Sequence, residues 1–273
     1  VDGWIILDKP LGLGSTQGVG AVKRNLREAG YGKVKVGHGG TLDPLATGVL
    51  PIALGEATKL AGRMLDASKV YAFTVCFGVQ TDTLDLEGKI VAESPVRPAP
   101  GHVRGVSGTL QGVLEQVPTA YSALMVDGQR AYELARAGTA VALRSRSVTI
   151  HALTLDGIET DGAGVVAATF TAHVSKGTYI RSLARDIACA LGTVGHVTML
   201  RRLRAGPFAL TEAISLDKLN DVGKGADLKN VILPLEAGLV DIPALDLDHQ
   251  QAGAVRQGRV LPRLPFADGL YWA

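Results

Sequence analysis

Gly37-His38-Gly39-Gly40-Thr41-Leu42-Asp43-Pro44-Leu45-Ala46-Thr47-Gly48 places one imidazole and one carboxylate among four glycines in twelve residues. A carboxylate with a reference pKa of ~3.9 is ionised at neutral pH. Asp43 can therefore act as a nucleophile without a neighbouring base, provided it is oriented and partly desolvated. Pro44 disfavours helical backbone at Asp43, and the glycines permit positive φ and close approach of a ligand. The same residues also fit a helix start, with Asp43 as N-cap and Pro44 at the first helical position. Capping and catalysis are both open on this evidence.

The rest of the chain has to position that loop. It is 273 residues long and 47% hydrophobic, enough for a large core. No apolar run reaches the ~18 residues of a membrane span, and the N-terminus lacks the pattern of a signal peptide. Cys76 and Cys189 are far apart, without disulfide or metal spacing, which fits a reducing cytosol. Net charge is only +2, but 9–38 and 174–204 each carry six basic residues against one acid, so the remainder is net negative. Such clustering suits either a polyanionic partner or two solvated faces.

Trp4 to Leu7 reads as a strand, and Lys9 to Thr16 as a turn leading to a helix N-cap. Gln17 to Glu28 reads as a helix with Val19, Val22 and Leu26 on one face and Gly30 as its stop. Val49 to Leu54 reads as a buried strand, and Glu56 to Leu65 as a short helix. Tyr71 to Val79 alternates as a half-buried strand, and Lys89 to Ala92 returns as another. Val103 to Leu110 is a helix weakened by two glycines. Gln116 to Arg146 mixes basic and aromatic residues, a composition suited to stacked bases and phosphates and equally to a surface hairpin and helix. Val148 to Leu155 and Val165 to Val174 are strands. Thr178 is read as the cap of a helix over 179–191, with Ile180, Leu183, Ala184, Ile187 and Leu191 as its buried stripe. Arg181 then lies in the first turn, opposing the helix macrodipole, and calls for an anionic partner. Leu216 to Leu219 is a short helical piece, and Pro243 to Ala273 reads as a small β module.

In order along the chain, Lys9-Pro10-Leu11-Gly12, the Asp43 loop, Tyr71 with Thr81-Asp82-Thr83-Leu84-Asp85, Ser122-Ala123-Leu124 with Gly128 and Arg130 to Arg136, Ser175 to Arg181, and Leu200-Arg201-Arg202 together resemble the TruB-type tRNA pseudouridine synthases. Gly14-Ser15, Thr119 and Met125 depart from that pattern. The resemblance implies an α+β fold with a mixed, mainly antiparallel central sheet flanked by helices and loops. It implies a catalytic domain over 1–241, an RNA-gripping insertion at about 117–146, and a partial PUA-like β module over 242–273.

The implied reaction is isomerisation of uridine to pseudouridine in the T stem-loop of tRNA, at position 55, on a flipped-out base. Asp43 would be the nucleophile, Arg181 its ion-pair partner and Tyr71 the ring that stacks on uracil or helps move a proton. His38, Lys9, Asp85, Tyr179, Leu200, Arg130, Arg136, Arg201 and Arg202 would contact the substrate. No metal or other cofactor, no membrane and no obligate protein partner are implied, so a cytoplasmic monomer is expected. The alternative is a non-catalytic RNA-binding or tRNA-folding protein using the same surface. A glycosidic-bond hydrolase would need a second carboxylate near Asp43, and none is adjacent in sequence.

Overall fold

The computed structural model describes residues 1–122, 124–126, 128–139, 143–224, 226–261 and 269–273. The chain opens with β1 (Gly3–Lys9), α1 (Ser15–Glu28), β2 (Val36–His38) and β3 (Ala46–Leu54), then a 3-10 turn leads into α2 (Ala61–Asp66). Next come β4 (Lys69–Phe77), the hairpin β5 (Val79–Thr81) and β6 (Ile90–Glu93), α3 (Pro100–Thr109) and β7 (Gly112–Gln116). A second hairpin, β8 (Met125–Val126) and β9 (Gln129–Arg130), leads to the short α4 (Ala131–Arg136). The long antiparallel pair β10 (Arg146–Thr160) and β11 (Val165–Val174) precedes α5 (Ile180–Ala190). β12 (Gly195–Ala205), β13 (Phe208–Ala209), β14 (Ile214–Ser215), α6 (Leu216–Gly223) and α7 (His249–Arg256) complete the regular elements.

One sheet runs through the molecule in the order β14-β1-β3-β12-β4-β11-β10-β7, with β2 added to β3 and β13 to β12. Within this sheet, among the described residues, β1/β14 and β3/β12 are the parallel pairs. The mixed, mainly antiparallel sheet expected from the resemblance is thus present. Alternation along β1 and β3 sorts their side chains between two faces. Ile5, Leu7, Leu50 and Ile52 pack with Val22 and Leu26 of α1, whereas Trp4, Ile6, Val49 and Ala53 pack with Met64 of α2 and Phe208. A third cluster joins Phe73, Val75 and Phe170 to Leu183, Ala184 and Ile187 of α5. Each such fully buried large side chain contributes roughly 1.5–3 kcal/mol. The α1 and α5 clusters meet at two half-buried residues, Tyr71 and Leu200, which touch both. The site forms at that seam.

Three local expectations change. No helix starts at Asp43: Ala46 N–H donates to the Asp43 carbonyl at 3.0 Å and the chain enters β3 at once. The cap reading therefore fails, because β3 extends earlier than its apolar run. The α5 N-cap is Tyr179, not Thr178, whose hydroxyl turns back to the Ser175 carbonyl. No element was expected over 195–205, where the structure forms β12. This central strand contains Arg201, Arg202 and Arg204, whose charges hide its pattern. In 242–273 the described residues form α7 and a single bridge between Ala244 and Trp272, rather than a β ladder. Residues 262–268 of that expected module lie outside the described residues, as does Ala123 of the expected gripping motif.

Candidate active site

The Asp43 loop has few side chains to pack, so bonds to its backbone hold it. The Ser15 hydroxyl accepts from Leu42 N–H at 2.8 Å and donates to the Leu42 carbonyl at 3.0 Å. Gly12 N–H and Lys9 Nζ both donate to the Pro44 carbonyl, at 2.8 and 3.3 Å. Lys9 also donates to the Leu13 carbonyl at 2.6 Å. From below, Arg202 donates to the carbonyls of Val49 at 2.7 Å, Gly40 at 3.1 Å and Thr41 at 3.3 Å. Gly48 has φ +101°, and a Cβ there would lie 2.2 Å from the Arg202 carbonyl. A Cβ on Gly39 would lie 2.6 Å from Cβ of Met64. These two glycines let protein, rather than ligand, approach the loop.

Arg181 comes up to this loop from the first turn of α5. Its Nη2 pairs with Oδ2 of Asp43 at 2.9 Å and donates to the Tyr121 carbonyl at 2.9 Å. Its Nη1 donates to the Thr83 carbonyl at 2.9 Å and lies 3.6 Å from Oδ2 of Asp85. The Arg181 side chain is 7% exposed and Asp85 is 11%, whereas Asp43 is 42% exposed. Both carboxylates offset the cation's conflict with the helix dipole. Asp85 was expected to touch substrate. Here its Oδ1 accepts from the Thr83 hydroxyl at 2.5 Å and Glu87 N–H at 3.0 Å, and the carboxylate is directed to Arg181. Between Thr83 and Asp85, Leu84 is the one non-glycine residue with positive φ, at 63°, among the described residues. Such a backbone costs ~1–3 kcal/mol, and it turns the groups on either side toward Arg181. Sequence distance concealed this second acid.

Two cavities meet at the pair. A slot of ≈ 310 Å³ is lined by Tyr71, Leu200, Tyr179, Asp43 and Arg181 among others. A wider groove of ≈ 780 Å³ runs past His38, Asp85, Tyr121, Tyr132 and Arg136. The expected catalytic trio of Asp43, Tyr71 and Arg181 is thus brought together, with Tyr179 and Leu200 beside it. The guanidinium of Arg146, which sequence reading did not single out, covers the Tyr179 ring at 5.3 Å. Arg136 lies 5.6 Å from the Tyr132 ring centroid at the groove. Burial, with the nearby Arg202 charge second, lowers the His38 pKa and favours the neutral imidazole.

The remaining expected contacts have different surroundings. Lys9 is fully buried, and desolvation brings its pKa to about 8. Arg202 is 1% exposed. Both brace the loop instead of reaching solvent. Arg201 pairs with Asp8 at 2.8 Å. Arg130 is exposed at the N-cap of α4 and lines neither cavity. Arg185 pairs with Asp186, and Arg204 reaches His173 at 3.2 Å. The basic segment 174–204 is therefore largely engaged within the protein. In the other segment, Lys23, Arg27, Lys33 and Lys35 remain exposed.

Comparison with known proteins gives a consistent match. The family model described as TruB family pseudouridylate synthase (N terminal domain) covers residues 26–180, and that of the tRNA pseudouridylate synthase B C-terminal domain covers 181–240. Their boundary falls inside α5, so both share the sheet and the site. The tRNA pseudouridine synthase B of Novosphingobium aromaticivorans is 76% identical over 273 residues, 100% of this chain and 90% of that one. The same enzyme of Zymomonas mobilis is 56% identical over 271 residues, covering 99% of this chain and 88% of that one. Among solved structures, the archaeal box H/ACA sRNP Nop10-Cbf5 complex includes a chain that is 27% identical, with TM-score 0.69, covering 95% of this chain and 68% of that one.

Proposed function

The chain belongs to the TruB family of pseudouridylate synthases, and we propose that it isomerises uridine to pseudouridine in tRNA with Asp43 as nucleophile. The observation that carries this reading is the Asp43–Arg181 pair, 2.9 Å apart, where a wide groove opens into an aromatic and apolar slot. The groove takes the RNA backbone and the slot takes the extruded base. Extrusion costs a few kcal/mol of lost stacking, offset by contacts along the groove. Tyr71 faces the base, and Arg181 aims the Asp43 carboxylate. The N1–C1′ bond breaks, the uracil turns, C5 joins C1′ and gives up its proton, and N1 takes one, so product and substrate have the same composition.

The substrate is the T stem-loop, at position 55, gripped in part by residues 117–146. His38 and Arg136, both on the groove, contact RNA. Residues 1–241 act as the catalytic domain and 242–273 as a partial PUA-like module. The enzyme acts as a cytoplasmic monomer. No helix among the described residues is long and apolar enough to cross a membrane.

The test is Asp43→Asn, assayed on unmodified tRNA by chemical mapping of pseudouridine. Binding is expected to persist while product disappears. Normal product from the variant would refute the assignment of Asp43, and release of free uracil by the wild type would instead identify a hydrolase.

A further inference from the structure

The slot and the groove share five residues: Thr41, Leu42, Asp43, Ser122 and Arg181. This shared neck is where one nucleotide must pass from chain to pocket. Arg181 is saturated there, with two carbonyls and two carboxylates around its guanidinium. Ser122 is not. It is 3% exposed, and its hydroxyl is buried with no hydrogen-bond partner among the described residues. Its backbone, in contrast, is held. The Ser122 carbonyl accepts from Tyr132 N–H at 3.0 Å, and the preceding carbonyl, of Tyr121, accepts from Arg181. A fixed, buried hydroxyl without a partner is unfavourable in the free protein, and a ligand that pairs with it removes that penalty.

We infer that the Ser122 hydroxyl hydrogen-bonds the ribose 2′-hydroxyl of the extruded uridine and holds C1′ over Asp43. The inference rests on the function proposed above. With the base in the slot and the RNA backbone in the groove, the sugar that joins them occupies the neck. Asp43 then faces C1′, and the polar groups next to C1′ are the ring oxygen and the 2′-hydroxyl. The ring oxygen only accepts. The 2′-hydroxyl both donates and accepts, as serine does. Ser122 is therefore a substrate-positioning contact that reads the ribose, separate from the pair that holds the nucleophile.

A double-mutant cycle between protein and RNA tests this. T stem-loop RNAs carrying uridine or 2′-deoxyuridine at the target are bound to Asp43→Asn proteins with Ser122 or Ser122→Ala, and Kd is measured. Ser122→Ala is expected to weaken binding of the ribose RNA about three- to tenfold, the range of one neutral hydrogen bond. On the deoxy RNA its effect falls below about twofold, because the partner is already gone. In the otherwise wild-type protein, Ser122→Ala slows single-turnover pseudouridine formation without lowering Tm, since no protein partner is lost. Equal losses on both RNAs, or no loss on the ribose RNA, would overturn the inference. If the Ala variant does not fold, Ser122→Cys carries the same cycle, with the thiol as a weaker donor. The parent reading fails separately, by absence of pseudouridine from the wild-type protein.

Discussion

Arg181→Lys keeps a cation at the centre of the site and removes its fork. The guanidinium makes two 2.9 Å bonds to carbonyls of different segments, Thr83 and Tyr121, while also holding Asp43 at 2.9 Å and facing Asp85 at 3.6 Å. One ammonium nitrogen cannot occupy the positions of both Nη atoms. Breaking a buried ion pair costs ~3–5 kcal/mol. The charge is kept here and Asp43 is 42% exposed, so solvent screens that half of the pair and the lower end applies. A loss of ~3 kcal/mol expressed in orienting Asp43 is about two decades of rate. We expect kcat to fall roughly 100-fold. The Kd for tRNA should change little, because Arg181 is 7% exposed and faces inward. Single-turnover pseudouridine formation at saturating enzyme measures the first, and fluorescence titration of labelled tRNA the second. Turnover within threefold of wild type would refute the argument that both Nη atoms are needed. A Kd loss as large as the kcat loss would show that Arg181 contacts RNA directly.

The neighbouring arginines should separate by burial. Arg202→Gln strips donors from three carbonyls of the Asp43 loop and its strand, at ~1–3 kcal/mol for each buried acceptor left unpaired. Thermal melting is expected to show a large Tm loss. Arg201→Gln breaks a pair in which both side chains are about one-third exposed, and it should cost under ~1 kcal/mol in the same assay. Equal Tm losses would contradict this placement. Lys9 supplies a pH test. Burial holds its folded pKa at about 8 against an ordinary lysine value of 10.5, so the unfolded chain binds more protons between those values. The Lys9 contribution to stability therefore rises with pH from about 8 to 10.5, at no more than ~1.4 kcal/mol per pH unit. The difference in Tm between wild type and Lys9→Met, followed over pH 7.5–10.5, should show that rise, and a flat difference would reject the buried charge.

Where side-chain period and burial agree, the elements were legible: α1 from Val19, Val22 and Leu26, α5 from its apolar stripe, β4 and β11 from alternation. The need of Arg181 for an anion was also legible, because a cation in a first turn opposes the helix macrodipole, and the resemblance named Asp43 as that anion. β12 was not, since its arginines look like surface charge until their partners are known. Those partners lie far off in sequence: Asp8 for Arg201, His173 for Arg204, and loop carbonyls for Arg202. Asp85 was hidden for the same reason, as its approach to Arg181 depends on the turn at Leu84.

The glycines were read as room for a ligand and the basic segments as charge for a polyanion or for solvent, and around the loop the two are physically linked. A glycine-rich segment offers almost no side-chain surface to pack, so its shape must come from bonds to its backbone. Its carbonyls need donors, and Lys and Arg are long donors with no acceptor of their own. Arg202 takes the carbonyls of Gly40, Thr41 and Val49, and Lys9 takes those of Leu13 and Pro44. Gly48 in turn permits the contact with the Arg202 backbone that a Cβ would block. Bonds to the backbone around Asp43 thus fix it while its carboxylate stays 42% exposed. A basic residue in a motif beside a glycine-rich catalytic loop should accordingly be weighed first as a carbonyl donor. Only the cations that stay exposed, such as Lys23, Arg27, Lys33 and Lys35, can then be counted toward the charge offered to RNA.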